Sequence, residues 1–132
     1  MIEDANLPLR YRQIVVIDDT HSIRAFLRIS LEAQGATLHE AATAAYGLAL
    51  CEQVNPDVVL LDLGLPDNEG INLLPRLKRL AKSKSLPVIV ITVRKEPKFK
   101  EMAMELGADA YLTKPFAIEH LIEVIENSLK AA

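Results

Sequence analysis

The sequence has no tryptophan, a single cysteine, five glycines and only 5% aromatic residues over its 132 positions. The lone Cys51 can close no internal disulfide and has no companion thiol for a structural zinc site, so it reads as a small buried apolar residue on a helix. Scarce glycine, with half the residues hydrophobic and a quarter charged, excludes a low-complexity or disordered chain. Positive charge is not in excess: 15 basic against 18 acidic residues leave a net charge of -3. A general attraction to polyphosphate or to an anionic membrane is absent, and direct binding of nucleic acid by this domain is not expected. No apolar run approaches the roughly 20 residues that would span a bilayer. Met1, Ile2, Glu3 and Asp4 also lack the basic-then-apolar pattern of an export signal. The expected compartment is the cytoplasm, with no membrane partner.

What is present is enough chain for one packed domain. Residues 1–10 include Pro8 and little periodicity and read as an N-terminal tail, so the domain is expected over 11–132. From there, short runs rich in valine and isoleucine alternate with segments of helical period, five times over. That alternation specifies βα units around a parallel sheet. The strands are expected at Ile14 to Ile17, Thr37 to Ala41, Val58 to Leu61, Val88 to Ile91 and Ala110 to Leu112. The first helix is capped by Asp19 or Thr20, buries Ile23, Phe26, Leu27 and Leu31, and stops at Gly35. An alanine-rich helix runs from Thr43 to about Val54. The third helix turns Leu73, Leu74, Leu77 and Leu80 inward. Because an interior proline costs about 3 kcal/mol, it is expected to begin near Asn72, with Pro75 in its first turn. Pro97 opens the fourth helix and Gly107 closes it; the fifth carries Ile118, Leu121, Ile122, Ile125 and Leu129 on one stripe. No repeat and no linker to an output domain is legible within these residues.

In a parallel α/β sheet all strands end on one edge, and ligands bind there. The first strand delivers Asp18 and Asp19 to that edge, the third Asp62, the fourth Thr92 and the fifth Lys114. Taken singly, each has an ordinary explanation as a helix cap, a β-former or a turn residue. Together they bring three carboxylates, a hydroxyl and an ammonium to one rim. Two unit charges about 5 Å apart repel by roughly 3 kcal/mol at an effective dielectric of 20, so such a cluster calls for a cation or a retained proton. Oxygen ligands, few in number, suit Mg2+ better than zinc, and the Gly64 carbonyl lies close in sequence. Lys114 and Thr92 can donate to an anion sharing the site, and a phosphoryl group fits that description.

The acid pair in IVVIDD, then PDVVLLDLGLPDNEG, PVIVIT and GADAYLTKPF, follow in an order and spacing that resembles the CheY-like receiver domain of two-component response regulators, from about Gln13 to Leu129. The resemblance implies a flavodoxin-like fold: a doubly wound five-stranded parallel sheet of order 2-1-3-4-5 with five helices. It implies that Asp62 is the phosphoacceptor for a phosphohistidine on a sensor histidine kinase or phosphotransfer protein. Asp18, Asp19, Asp62 and the Gly64 carbonyl would hold Mg2+, with Lys114 and Thr92 serving the phosphoryl group. Thr92 and Tyr111 correspond to the switch pair that remodels the face of the fourth helix, fifth strand and fifth helix. The Lys114–Pro115 bond is expected to be cis. Such a domain assists its own phosphorylation without being a conventional enzyme.

The DLGLPD stretch resembles receivers of winged-helix transcription regulators, which act through a downstream effector, a fused output domain or a phosphorylation-dependent dimer. Asp109, Ala110 and Tyr111 stand where that subfamily commonly has Asp-Asp-Tyr, Glu123 and Glu126 where it has arginine, and Val93 where receivers commonly have alanine or glycine. By the same analogy His21, Arg24 and Arg28 are expected to be exposed on a kinase-docking face whose apolar residues carry the affinity. The competing reading is a receiver-like adaptor that binds partners without phosphorylation. A haloacid-dehalogenase phosphatase would need an acid where Gly64 stands. A nucleotide binder would not place Asp18 and Asp19 in its phosphate loop. The basic run of Arg76, Lys78, Arg79, Lys82 and Lys84 reads as the wet face of a helix, and His21, His39 and His120 lack ligand spacing.

Overall fold

The computed structural model describes residues 7–67, 70–80 and 86–131. Its elements follow in the order β1 (Gln13–Ile17), α1 (His21–Glu32), β2 (Thr37–Ala41), α2 (Ala44–Val54), β3 (Val58–Leu61), α3 (Gly70–Leu80), β4 (Val88–Thr92), α4 (Pro97–Glu105), β5 (Ala110–Thr113) and α5 (Ile118–Ala131). The sheet is parallel throughout with strand order β2-β1-β3-β4-β5, the doubly wound arrangement that the resemblance implied.

The central strands are aliphatic on both faces because both are covered. Val15, Ile17, Val59, Leu61, Val88 and Val90 face α2, α3 and α4, packing on Leu50, Leu73, Leu77 and Ala103. The alternate residues, Ile14, Val16, Val58, Leu60, Ile89 and Ile91, face α1 and α5 and pack on Leu27, Leu31, Leu121 and Ile125. Strand periodicity thus divides one aliphatic set between two cores. Cys51 lies buried in the first of them, as expected, and burial, aided by the Glu52 charge, pushes its thiol up to about 12.

Four details differ from the sequence reading. Helix α3 begins at Gly70, not near Asn72, so Pro75 sits inside the helix. The earlier start is set by the sheet: the Gly70 N–H donates to the Leu63 carbonyl at 2.6 Å, and a Cβ at Gly70 would land on the Asp62 carbonyl oxygen. Only glycine lets the helix end approach the β3 turn this closely. On α1, Leu27 and Leu31 are buried but Phe26 is 45% exposed. Thr20 occupies the N-cap position without a side-chain capping bond. Finally, Leu9, within the segment expected to be a tail, is fully buried, and its N–H donates to the Gln34 carbonyl at 2.9 Å. The Tyr11 N–H donates to the carbonyl of Gly35, whose φ of +98° lets the chain turn out of α1.

Candidate functional site

Backbone ladder bonds continue one residue past the strands and set the register of the rim. The Asp18 N–H donates to the Ala41 carbonyl (3.0 Å), Asp62 N–H to Ile17 (2.9 Å) and Lys114 N–H to Thr92 (2.8 Å). Asp18 is therefore aligned between the ends of β2 and β3, and Lys114 beside the end of β4. Asp18, Asp62 and Thr92 are 0%, 8% and 1% exposed, the buried polar residues among those described. Asp19 is exposed.

One carboxylate oxygen from each of Asp18, Asp19 and Asp62 lies within 4.8 Å of the others. The Lys114 Nζ spans two of them, 2.7 Å from Asp18 Oδ2 and 3.3 Å from Asp62 Oδ2. Asp18 Oδ1 accepts the Thr20 N–H at 2.9 Å, and Asp62 Oδ1 the Gly64 N–H at 3.4 Å. Burial raises the Asp62 carboxyl above its ordinary range; the Lys114 ammonium opposes that rise and the Asp18 charge adds to it. Burial would lower Lys114, but the hydrogen bond and charge of Asp18, reinforced by Asp62, outweigh it and hold the ammonium above its usual value. Lys114 thus offsets one of three negative charges. An all-oxygen set with negative charge left over matches a hard divalent cation of the Mg2+ kind.

The Lys114–Pro115 bond is cis, as the resemblance implied. The Thr92 Oγ1 accepts the Arg94 N–H at 3.3 Å, and the Tyr111 hydroxyl donates to the Arg94 carbonyl at 2.7 Å. The half-buried Tyr111 phenol is held above its ordinary range, chiefly by burial. Val93 beside them is 67% exposed.

The expected docking face needs correction. Of the three polar residues expected there, His21 is exposed, Arg24 is largely covered and Arg28 is partly exposed, and both arginines pair with Glu40 of β2. Phe26 and Ile29 (70% exposed) are the apolar residues α1 presents. Lys78 is likewise committed, to the Leu86 carbonyl and to Asp109 Oδ2, both at 2.8 Å, while Lys82 and Lys84 of the basic run lie outside the described residues. His39 meets Gln13 and His120 lies near Glu123, so none of the three histidines approaches the rim carboxylates as a ligand.

Two supporting contacts are not legible in the sequence. Asp67 accepts the Ala44 N–H (2.7 Å) and the Ala45 N–H (3.0 Å), which hold its carboxyl below the usual range and tie the loop after β3 to the start of α2. Arg24 Nη1 donates to the Asp18 carbonyl at 2.7 Å. Both contacts join separate elements, so local patterns do not announce them.

Comparison with known proteins agrees with this fold. The family model for the response regulator receiver domain matches residues 14–126. The KDP operon transcriptional regulatory protein KdpE of Escherichia coli is 41% identical over 82% of this chain and 47% of its own length. The phosphate regulon transcriptional regulatory protein PhoB of Pseudomonas aeruginosa is 34% identical over 90% of this chain and 52% of its own. The chain spans about half the length of the curated relatives it matches. Among solved structures, a CheY-like response regulator receiver domain protein from Methanospirillum hungatei superposes with a TM-score of 0.85 at 31% identity, covering 92% of this chain and 95% of that one.

Proposed function

The chain belongs to the response regulator receiver domain family, and from that premise we propose that Asp62 accepts a phosphoryl group from a phosphohistidine and that the α4-β5-α5 face changes in response. The observation that carries this reading is the Lys114 ammonium lying across two of three clustered carboxylates at the carboxyl edge of the sheet. Asp62 supplies the attacking oxygen: a bond forms from its carboxylate to phosphorus as the bond from phosphorus to the donor imidazole nitrogen breaks, and the electron pair leaves with the imidazole. Lys114, anchored on Asp18, is placed to donate to phosphoryl oxygens as negative charge gathers on them. The buried Thr92 hydroxyl is a second donor from the neighbouring strand end. Asp18, Asp19, Asp62 and the Gly64 carbonyl are the proposed holders of Mg2+. When bound, the ion would neutralise charge on the carboxylates and the transferring group.

The donor is a sensor histidine kinase or a phosphotransfer protein, and the exposed Phe26 and Ile29 of α1 are the apolar contacts offered beside the rim. Since the curated relatives are transcriptional regulators about twice as long, the changed face serves an output segment or a downstream effector. The domain is a phosphoacceptor and not an enzyme acting on a separate substrate. Incubation with acetyl phosphate and Mg2+ is expected to add the mass of one phosphoryl group to the protein and none to Asp62→Ala. Equal addition to both would overturn the assignment.

A further inference from the structure

We infer that Arg24 is a positioning residue for the divalent-cation site: it clamps the Asp18 carbonyl and so fixes the peptide that carries Asp19. The proposal rests on the Mg2+ reading of the acidic rim given above. Every polar atom of Asp18 is engaged. Its N–H is on the Ala41 carbonyl, Oδ1 on the Thr20 N–H, Oδ2 on Lys114, and the carbonyl on Arg24 Nη1 at 2.7 Å. Asp19 differs, because its exposed carboxylate takes no ion pair or side-chain hydrogen bond among the described residues. Its place beside the other two acids is set through the backbone, and the Asp18–Asp19 peptide is the part of that backbone Arg24 holds.

The clamp is itself anchored. Arg24 Nε lies 3.3 Å from Glu40 Oε1, the Arg24 side chain is only 15% exposed, and Arg28 grips the other Glu40 oxygen. The planar guanidinium therefore spans from β2 to the β1 end in a fixed fork, which an ammonium cannot reproduce. Outer residues that orient ligands in this way typically govern metal affinity by about 10-fold to 100-fold.

Charge and geometry predict opposite signs, which makes the inference testable. Removing a cation near a cation site strengthens metal binding by Coulomb's law, whereas releasing the Asp18–Asp19 peptide weakens it. Mn2+, which accepts the same oxygen ligands, is titrated into the 132-residue chain, and the free-ion paramagnetic resonance signal counts what is bound. Arg24→Gln is expected to weaken Mn2+ binding about 10-fold. Arg24→Lys, which keeps the charge and one donor, should fall between it and the parent. Arg12→Gln, whose parent side chain pairs with Asp57 and touches neither Glu40 nor Asp18, should match the parent. Unchanged or tighter binding by both Arg24 variants, or equal weakening by Arg12→Gln, overturns the inference. A parent chain that binds no Mn2+ would instead overturn the functional reading beneath it.

Discussion

Thr92 and Tyr111 hold the same residue from two sides: the Thr92 hydroxyl oxygen accepts the Arg94 N–H, and the Tyr111 hydroxyl donates to the Arg94 carbonyl. In the proposed function, a Thr92 oxygen that swings toward a phosphoryl group on Asp62 leaves the Arg94 N–H, and the segment leading into α4 loses a fixed point. Thr92→Ala should therefore take up phosphate from acetyl phosphate but transmit less of the change. Amide chemical shifts over residues 94–113 are expected to move on phosphorylation in the parent and to move much less in the variant; equal movement in both would contradict this coupling.

Asp62→Asn should raise the melting temperature at neutral pH without added cation. The sign follows from linkage: an acid whose folded-state pKa is raised favours its protonated form when folded, so the stability present below its unfolded pKa is lost as pH rises from there through the raised folded-state pKa. The amide removes that loss. The gain should shrink as pH falls below the ordinary carboxylate range, and again when millimolar Mg2+ is present. A gain that persists unchanged at low pH would point to packing in place of charge.

Cys51 gives an alkaline signature. Its thiol is held neutral in the fold up to about 12, against an ordinary value of 9.0. Between those limits the unfolded chain releases a proton that the folded chain keeps, so stability should fall by about 1.4 kcal/mol per pH unit. Cys51→Ala should flatten that limb in urea titrations from pH 9 to 10.5. An identical limb in both proteins would mean that another group governs it.

Gly70→Ala tests how α3 positions Asp62, the proposed phosphoacceptor. The added Cβ would press on the Asp62 carbonyl and lie 2.7 Å from the Leu63 Cα, so backbone must shift. A loss of about 1–3 kcal/mol in stability is expected, together with slower phosphorylation at saturating acetyl phosphate. Normal rates at normal stability would show that the close approach is dispensable.

The fold was legible because its signals are local. The Val58–Leu61 run, bounded by Asn55, Pro56 and Asp57, reads as a strand covered on both faces, and Gly35 and Gly107, both at positive φ, mark helix ends. The rim was legible because parallel strands must end together, so Asp18, Asp62, Thr92 and Lys114 share an edge whatever their loops do. What escaped depends on contacts between distant elements. The start of α3 is set by a Gly70 bond to the β3 turn, the burial of Leu9 by the turn after α1, and the engagement of Arg24 by Glu40 on β2. A helical wheel places Arg24 on a polar face but says nothing of a carboxylate one strand away.

The phosphoacceptor assignment meets its sharpest test in crystals of the protein grown with Mg2+ and beryllofluoride, a mimic of the phosphoryl group. The adduct should be bonded to a carboxylate oxygen of Asp62, with the Lys114 ammonium and the Thr92 hydroxyl on its fluorines. An adduct on another residue, or an Asp62 carboxylate still paired with Lys114 and bearing none, would contradict the account.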